Sequence, residues 1–275
     1  PHPRRWKVTR TFPPPTNHTA DTTTPRTTPP TNHRNQPMTN RLSELQHDRA
    51  MRMPGSLLPL PVALLLTTIQ VCALLGNFNL ALPPRINGPK LTAYTGRYTY
   101  LTVQTNIILL VYYAVTTMTS ILETRVIDGT LIALYPLVFA LGSFVTIAYY
   151  LLDHWNPEQI KKRITWAKRG YNFLEFDSHL EHGFAFPGVV LYQYAMVTTA
   201  SSYRPSYSDV VMFVGGYMLF FLAFTHVIKH LTGVWVYPII EDVSRFGGIA
   251  GRWALFATLM LVFMGLGSLG KLLIA

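Results

Sequence analysis

From Leu57 onward the chain is a succession of long apolar runs separated by short polar connections. Six runs stand out, at about 57–81, 99–122, 130–152, 183–201, 209–230 and 252–274. Two stretches within them, Leu57–Leu80 and Ala254–Leu269, contain no charged residue. About 20 such residues make a helix long enough to cross the hydrocarbon of a bilayer. The pattern therefore predicts an all-α polytopic membrane protein, a bundle of about six transmembrane helices. An even number of crossings puts both termini on one side.

Prolines punctuate this pattern. Pro59 and Pro61 open the first run, where proline is tolerated. Pro136 and Pro187 fall inside the third and fourth, where kinks are expected because the ring removes a backbone donor. The longest connection, Asp153 to Glu181, holds Lys161, Lys162, Arg163, Lys168 and Arg169. It is expected to form a short interfacial helix with Trp155 and Trp166 at headgroup depth.

Residues 1–56 are different in kind. The stretch PPPTNHTADTTTPRTTPPTNH is rich in Pro, Thr and Asn and almost free of large apolar side chains. Such a segment cannot bury enough apolar surface to offset its ordering entropy. A disordered basic tail over 1–56 and a transmembrane domain over 57–275 are the expected organisation. Asn17-His18-Thr19 is a formal glycosylation sequon, and the scarcity of acids loosely fits an organelle transit segment.

Composition supports the membrane reading. Only 13% of the residues are charged, against about a quarter in a soluble domain. The formal net charge of +10 invites nucleic acid as a partner. Outside the tail, however, Lys and Arg lie in short loops between apolar runs, as they do beside lipid headgroups. The lipid bilayer is the expected partner and nucleic acid is not. Basic residues favour the first, third and fifth loops, whereas the basic tail votes for the opposite orientation. Cys72 is the only cysteine, so no internal disulfide exists.

Five histidines lie outside the tail: His154, His179, His182, His226 and His230. His179 and His182 are three apart and His226 and His230 four apart, spacings that share a helix face. Polar groups at membrane depth are costly and are functional suspects, while solvated headgroup-level histidines are the plainer alternative, favoured for His154. With Asp177, Glu181 or Glu241 these imidazoles would also suit zinc or iron. The adjacent His-His pairs of membrane di-iron enzymes are absent, so no metal and no cofactor are assigned. Thr102, Thr105, Thr116, Thr117 and Cys72 are the nucleophiles available by depth. Most membrane threonines simply bond the carbonyl one turn back. No nucleophile elbow and no phosphate-cradling loop occurs.

Three stretches carry a resemblance. They are Gly96-Arg97-Tyr98-Thr99-Tyr100-Leu101-Thr102, Ser178-His179-Leu180-Glu181-His182 with Pro187 following, and His230-Leu231-Thr232-Gly233-Val234-Trp235-Val236-Tyr237-Pro238. In order and spacing they resemble the androgen-induced-gene protein family, the T-G-x-W-V-Y-P motif most specifically. The likeness begins near Leu57 and leaves the tail unmatched. It implies a multi-pass hydrolase of fatty acid esters of hydroxy fatty acids, with Thr102 as nucleophile and His182 as base. His179, His230 and Tyr237 are supporting polar groups by proximity to the motifs. The family usually has Asn before the first histidine and Thr after the second, where this chain has Ser178 and Gly183. Those departures keep a rival open, a non-catalytic subunit of a large membrane complex, possibly mitochondrial. An endoplasmic reticulum or other internal membrane suits the hydrolase. For direct proton transfer Thr102 and His182 must approach within hydrogen-bond reach or through one water.

Overall fold

The computed structural model describes residues 59–79, 96–122, 128–168, 174–197 and 204–274. The tail and its sequon lie outside them. Every regular element among the described residues is helical. Helix α1 (Pro59–Asn79) begins on a proline. A short 3₁₀ turn, Gly96–Thr99, leads into α2 (Leu101–Ile121). Helix α3 (Asp128–Ala148) carries Pro136 inside it and runs on through a π-helical turn, Tyr149–His154. The amphipathic helix α4 (Pro157–Ala167) fills the connection where an interfacial helix was expected. Arg163 ties it back, donating to the Asp153 carboxylate and to the His154 carbonyl, both at 2.7 Å. Trp155 is exposed beside it, while the side chain of Trp166 lies outside the described ones.

The fourth apolar run is entered by α5 (Leu174–Ser178) and a second π-helical turn, His179–Gly183, before α6 (Ala185–Val197). Pro187 therefore sits in the first turn of α6 rather than in a helix interior, so it removes no intrahelical bond. Helix α7 (Tyr207–Asp209) opens on a Ser206–Asp209 capping box. It passes through a third π-helical turn, Val210–Gly215, into α8 (Gly216–Thr232). Gly233 closes α8 in the left-handed conformation (φ 74°), its N–H bonded to the Lys229 carbonyl. Helix α9 (Pro238–Leu273) is 36 residues long but is broken at Gly248 (φ 60°, ψ −149°).

Four of these runs are long and apolar enough to cross a membrane: Leu101–Ile121, Asp128–His154, Tyr207–Thr232 and Pro238–Leu273. The chain is thus a helical polytopic membrane protein, but six crossings are not established. The apolar part of α1, Leu60–Leu75, is shorter. Helix α6 follows directly on the His179–Gly183 turn, and the described residues of this run end at Val197. The last run begins at Pro238, well before the expected 252, because the helix resumes beyond the break at Gly248.

Helix α3 is the centre of the bundle. On one flank Tyr135 and Phe139 pack with Leu66, Tyr113, Val189 and Tyr192 from α1, α2 and α6. On the other, Leu137 and Leu141 pack with Val210, Val214, Phe221 and Phe263. Small residues permit this closeness, as is usual between membrane helices. A Cβ on Gly142 would lie 2.9 Å from the Ala185 carbonyl oxygen, and one on Gly270 would lie 2.8 Å from Phe139 Cβ.

Candidate functional site

The start of α2 has no cap of its own. Tyr100 precedes it in an extended conformation and its side chain makes no capping bond. The first four N–H groups of a helix need outside partners, and one comes from far along the chain: Leu101 N–H donates to the Tyr237 hydroxyl at 2.9 Å. Gln104 adds two ties, donating to the Tyr98 carbonyl at 2.8 Å and accepting from the Tyr217 hydroxyl at 2.9 Å. The T-G-V-W-V-Y-P stretch and the stretch ending at Thr102 therefore meet at this helix start. Tyr100, Phe224 and Tyr237 pack there on the buried Ile228 and Val236.

The His179–Gly183 turn reaches the same helix. Asn106 donates from Nδ2 to the Glu181 carbonyl at 3.0 Å, and Arg97 lies 3.7 Å from the Glu181 carboxylate. Thr102 is one turn before Asn106 on the same face of α2, since residues four apart are neighbours. Thr146 of α3 fixes the turn from the other side. Its hydroxyl donates to the His182 carbonyl at 2.6 Å and accepts from Phe186 N–H at 3.1 Å. Burial raises the Glu181 carboxyl to about 7, against the opposing pull of Arg97.

His182 is held in one tautomer. Its Nδ1 lies 3.0 Å from the Ser178 carbonyl oxygen, and a carbonyl only accepts, so Nδ1 carries the proton. The lone pair is left on Nε2, which has no hydrogen-bond partner among the described residues. The ring stacks on Tyr149 at 4.8 Å. Burial pushes the imidazole down to about 4, outweighing the opposing effect of the Ser178 carbonyl.

His179 accepts or donates at 3.2 Å with the Tyr150 hydroxyl, and its ring meets that of His154 at 4.8 Å. His154 in turn contacts the Tyr149 hydroxyl at 3.3 Å. Two π-helical turns thus face each other across a cluster of His154, His179, His182, Tyr149 and Tyr150. Among the described residues no three His, Cys, Asp or Glu side chains are placed to hold a metal ion.

The sequence candidates divide as follows. Thr116 and Thr117 bond the carbonyls of Tyr112 and Tyr113 one turn back, and Thr105 is wholly buried. Thr102 is half-buried, with no hydrogen-bond partner for its hydroxyl among the described residues. Tyr237 stands at the helix start. His230 is exposed and is joined to none of these groups among the described residues. His226 belongs to a separate aromatic cluster with Trp235, Trp253 and Phe256. Sequence reasoning missed Arg97, Asn106, Tyr149, Tyr150 and Thr146 as site residues. It also set His154 aside as a solvated group. A buried Asn or Thr in an apolar helix is the signal that was available.

A bundle of apolar helices with buried Asn106 and Glu181 and partly buried Arg97 and His182 near the start of one of them defines a polytopic membrane protein with a polar centre. The chain belongs to the FAR-17a/AIG1-like protein family, whose model matches residues 62–274. No curated protein and no solved structure gives a significant match.

Proposed function

We propose that this protein is a lipid-ester hydrolase of an internal membrane, the endoplasmic reticulum in preference to the mitochondrial inner membrane. Its substrates are fatty acid esters of hydroxy fatty acids, Thr102 is the nucleophile and His182 the base. The observation that carries the reading is the bond from Asn106 to the Glu181 carbonyl, one helical turn from Thr102 and one residue from His182.

The chemistry follows from the groups present. His182 Nε2 takes the Thr102 proton and the alkoxide adds to the ester carbonyl. The tetrahedral intermediate collapses with cleavage of the ester C–O bond. The imidazolium returns the proton to the leaving oxygen, releasing the hydroxy fatty acid and leaving an acyl-threonine. Water, deprotonated by the same Nε2, then releases the fatty acid and restores Thr102. Tyr237 accepts from Leu101 N–H and keeps its own proton, because burial raises its phenol to about 12. It is therefore a donor to negative charge developing beside Thr102, in the manner of an oxyanion hole. His179 and its Tyr150 partner support the turn that carries the base. His230 has no part in this scheme.

The two departures from the family pattern are compatible with activity. At Ser178 the orienting acceptor is the backbone carbonyl, which any residue supplies. At Gly183 the space of a side chain is filled by Tyr150, whose hydroxyl would lie 2.8 Å from a Cβ there. A hydroxyl is thus present where threonine would have provided one.

The test is labelling of the detergent-solubilised protein with a fluorophosphonate probe. Wild type should label and Thr102→Ala should not, with thermal unfolding showing both folded. Equal labelling would assign the reactive hydroxyl elsewhere. No labelling of either, with migration in a large complex in mild detergent, would favour the non-catalytic subunit.

A further inference from the structure

A second polar cluster lies apart from the proposed active site, where the end of α8, the Trp235 turn and α9 beyond Gly248 come together. The His226 ring is 5.1 Å from Trp235, 5.9 Å from Trp253 and 5.4 Å from Phe256. Two cations share the Trp235 ring: Lys229 Nζ at 5.6 Å and Arg252 Cζ at 5.3 Å from its centroid. Only one of them has an anion. Lys229 is 3.3 Å from the Glu241 carboxylate, so that charge is answered within the chain. Arg252 makes no ion pair and no hydrogen bond among the described residues, and its Nε is buried without a partner. A half-buried guanidinium left without an anion is strongly unfavourable.

Depth identifies what supplies the anion. Between Arg252 and Lys271 lie residues 253–270, none of them charged. The two cations are 19 positions apart (271 − 252), about 28 Å along a helix, which matches the hydrocarbon thickness. Arg252 therefore stands at one headgroup boundary, with Trp253 exposed at aromatic-belt depth. The elements that form the cluster also carry exposed apolar side chains: Leu231, Val234 and Ile249 are exposed and Phe246 is 91% exposed. The surroundings thus offer acyl chains and phosphates.

We propose that Arg252 binds the phosphate of an anionic phospholipid whose headgroup lies against Trp235 and whose chains run along the exposed face of α9. The guanidinium supplies paired N–H donors to phosphate oxygens, and the indole shields the contact from water.

The experiment titrates the full chain in a neutral detergent with brominated-chain phosphatidylglycerol or phosphatidylcholine and reads quenching of tryptophan fluorescence. Phosphatidylglycerol should half-quench at about tenfold lower concentration, the size of one charge-assisted hydrogen-bonded contact. Arg252→Gln should abolish that preference and Arg252→Lys should keep part of it. Arg204→Gln should leave it intact, since Arg204 is held by the Ile274 carbonyl at 2.7 Å. Equal quenching by the two lipids, a preference that survives Arg252→Gln, or one lost equally in Arg204→Gln would overturn the proposal. If Arg252→Gln does not fold, Arg252→Lys must still reduce the preference, and an unchanged preference overturns it.

Discussion

The hydroxyl of Tyr237 does for α2 what nothing in that helix's own N-terminal sequence does: it accepts the Leu101 N–H at 2.9 Å. Removing it leaves a buried donor unpaired, at a cost of about 1–3 kcal/mol. Tyr237→Phe should lower the melting temperature of the detergent-solubilised protein and reduce any ester hydrolysis. An unchanged melting curve would mean water or another group serves the same N–H. His182 gives a second prediction at this scale. A general base must be neutral, and burial lowers this imidazole from 6.5 to about 4. The neutral form then persists as pH falls, and the rate should drop only near pH 4. An acid limb in kcat/KM near 6.5 would indicate a histidine that is not buried. Thr102, His182 and Tyr237, the residues of the proposed scheme, stand in recognisable motifs of the sequence. Arg97 and Asn106 were not singled out, since one polar residue near an apolar run has no partner visible in the sequence.

At the scale of elements, length and apolar period predicted where helices run, and α1, α2 and α3 lie within a few residues of the expected bounds. What the period does not encode is the π-helical turn. Tyr149–His154 and His179–Gly183 each widen the helix locally and re-aim their side chains. That is how His154, set aside as solvated, comes to lie 4.8 Å from His179. Such a turn depends on the donors its neighbours offer to its carbonyls, here Thr146 and Asn106, and so has no local signature. The tightness of this packing is testable. A side chain at Gly183 would press on the Tyr150 hydroxyl, the far end of a side chain that must shift to admit it, so Gly183→Thr should destabilise by about 1 kcal/mol. Adding Tyr150→Phe should recover part of that loss, because the two positions are in contact. Strict additivity in thermal unfolding would show that the collision is relieved some other way.

For the whole molecule, α3 forms the buried axis and α9 the lipid-facing edge, an arrangement that the uniformly apolar runs could not reveal. A buried helix and a lipid-exposed one are equally hydrophobic. The tail is expected to be separable: deletion of residues 1 to about 50 should leave a folded bundle with unchanged melting, judged by its low apolar content. Aggregation of the truncated chain would show that the tail packs as part of it. The convergence of three distant motifs on the start of α2 is the feature that a passive scaffold has least need of. The most direct measurement is hydrolysis of a fatty acid ester of a hydroxy fatty acid by the purified full chain and by Thr102→Ala and His182→Ala. The account predicts turnover by wild type and a loss of about a thousandfold or more in each variant, as expected when nucleophile and base act as a unit. Turnover that persists in Thr102→Ala, with both proteins folded, would contradict it.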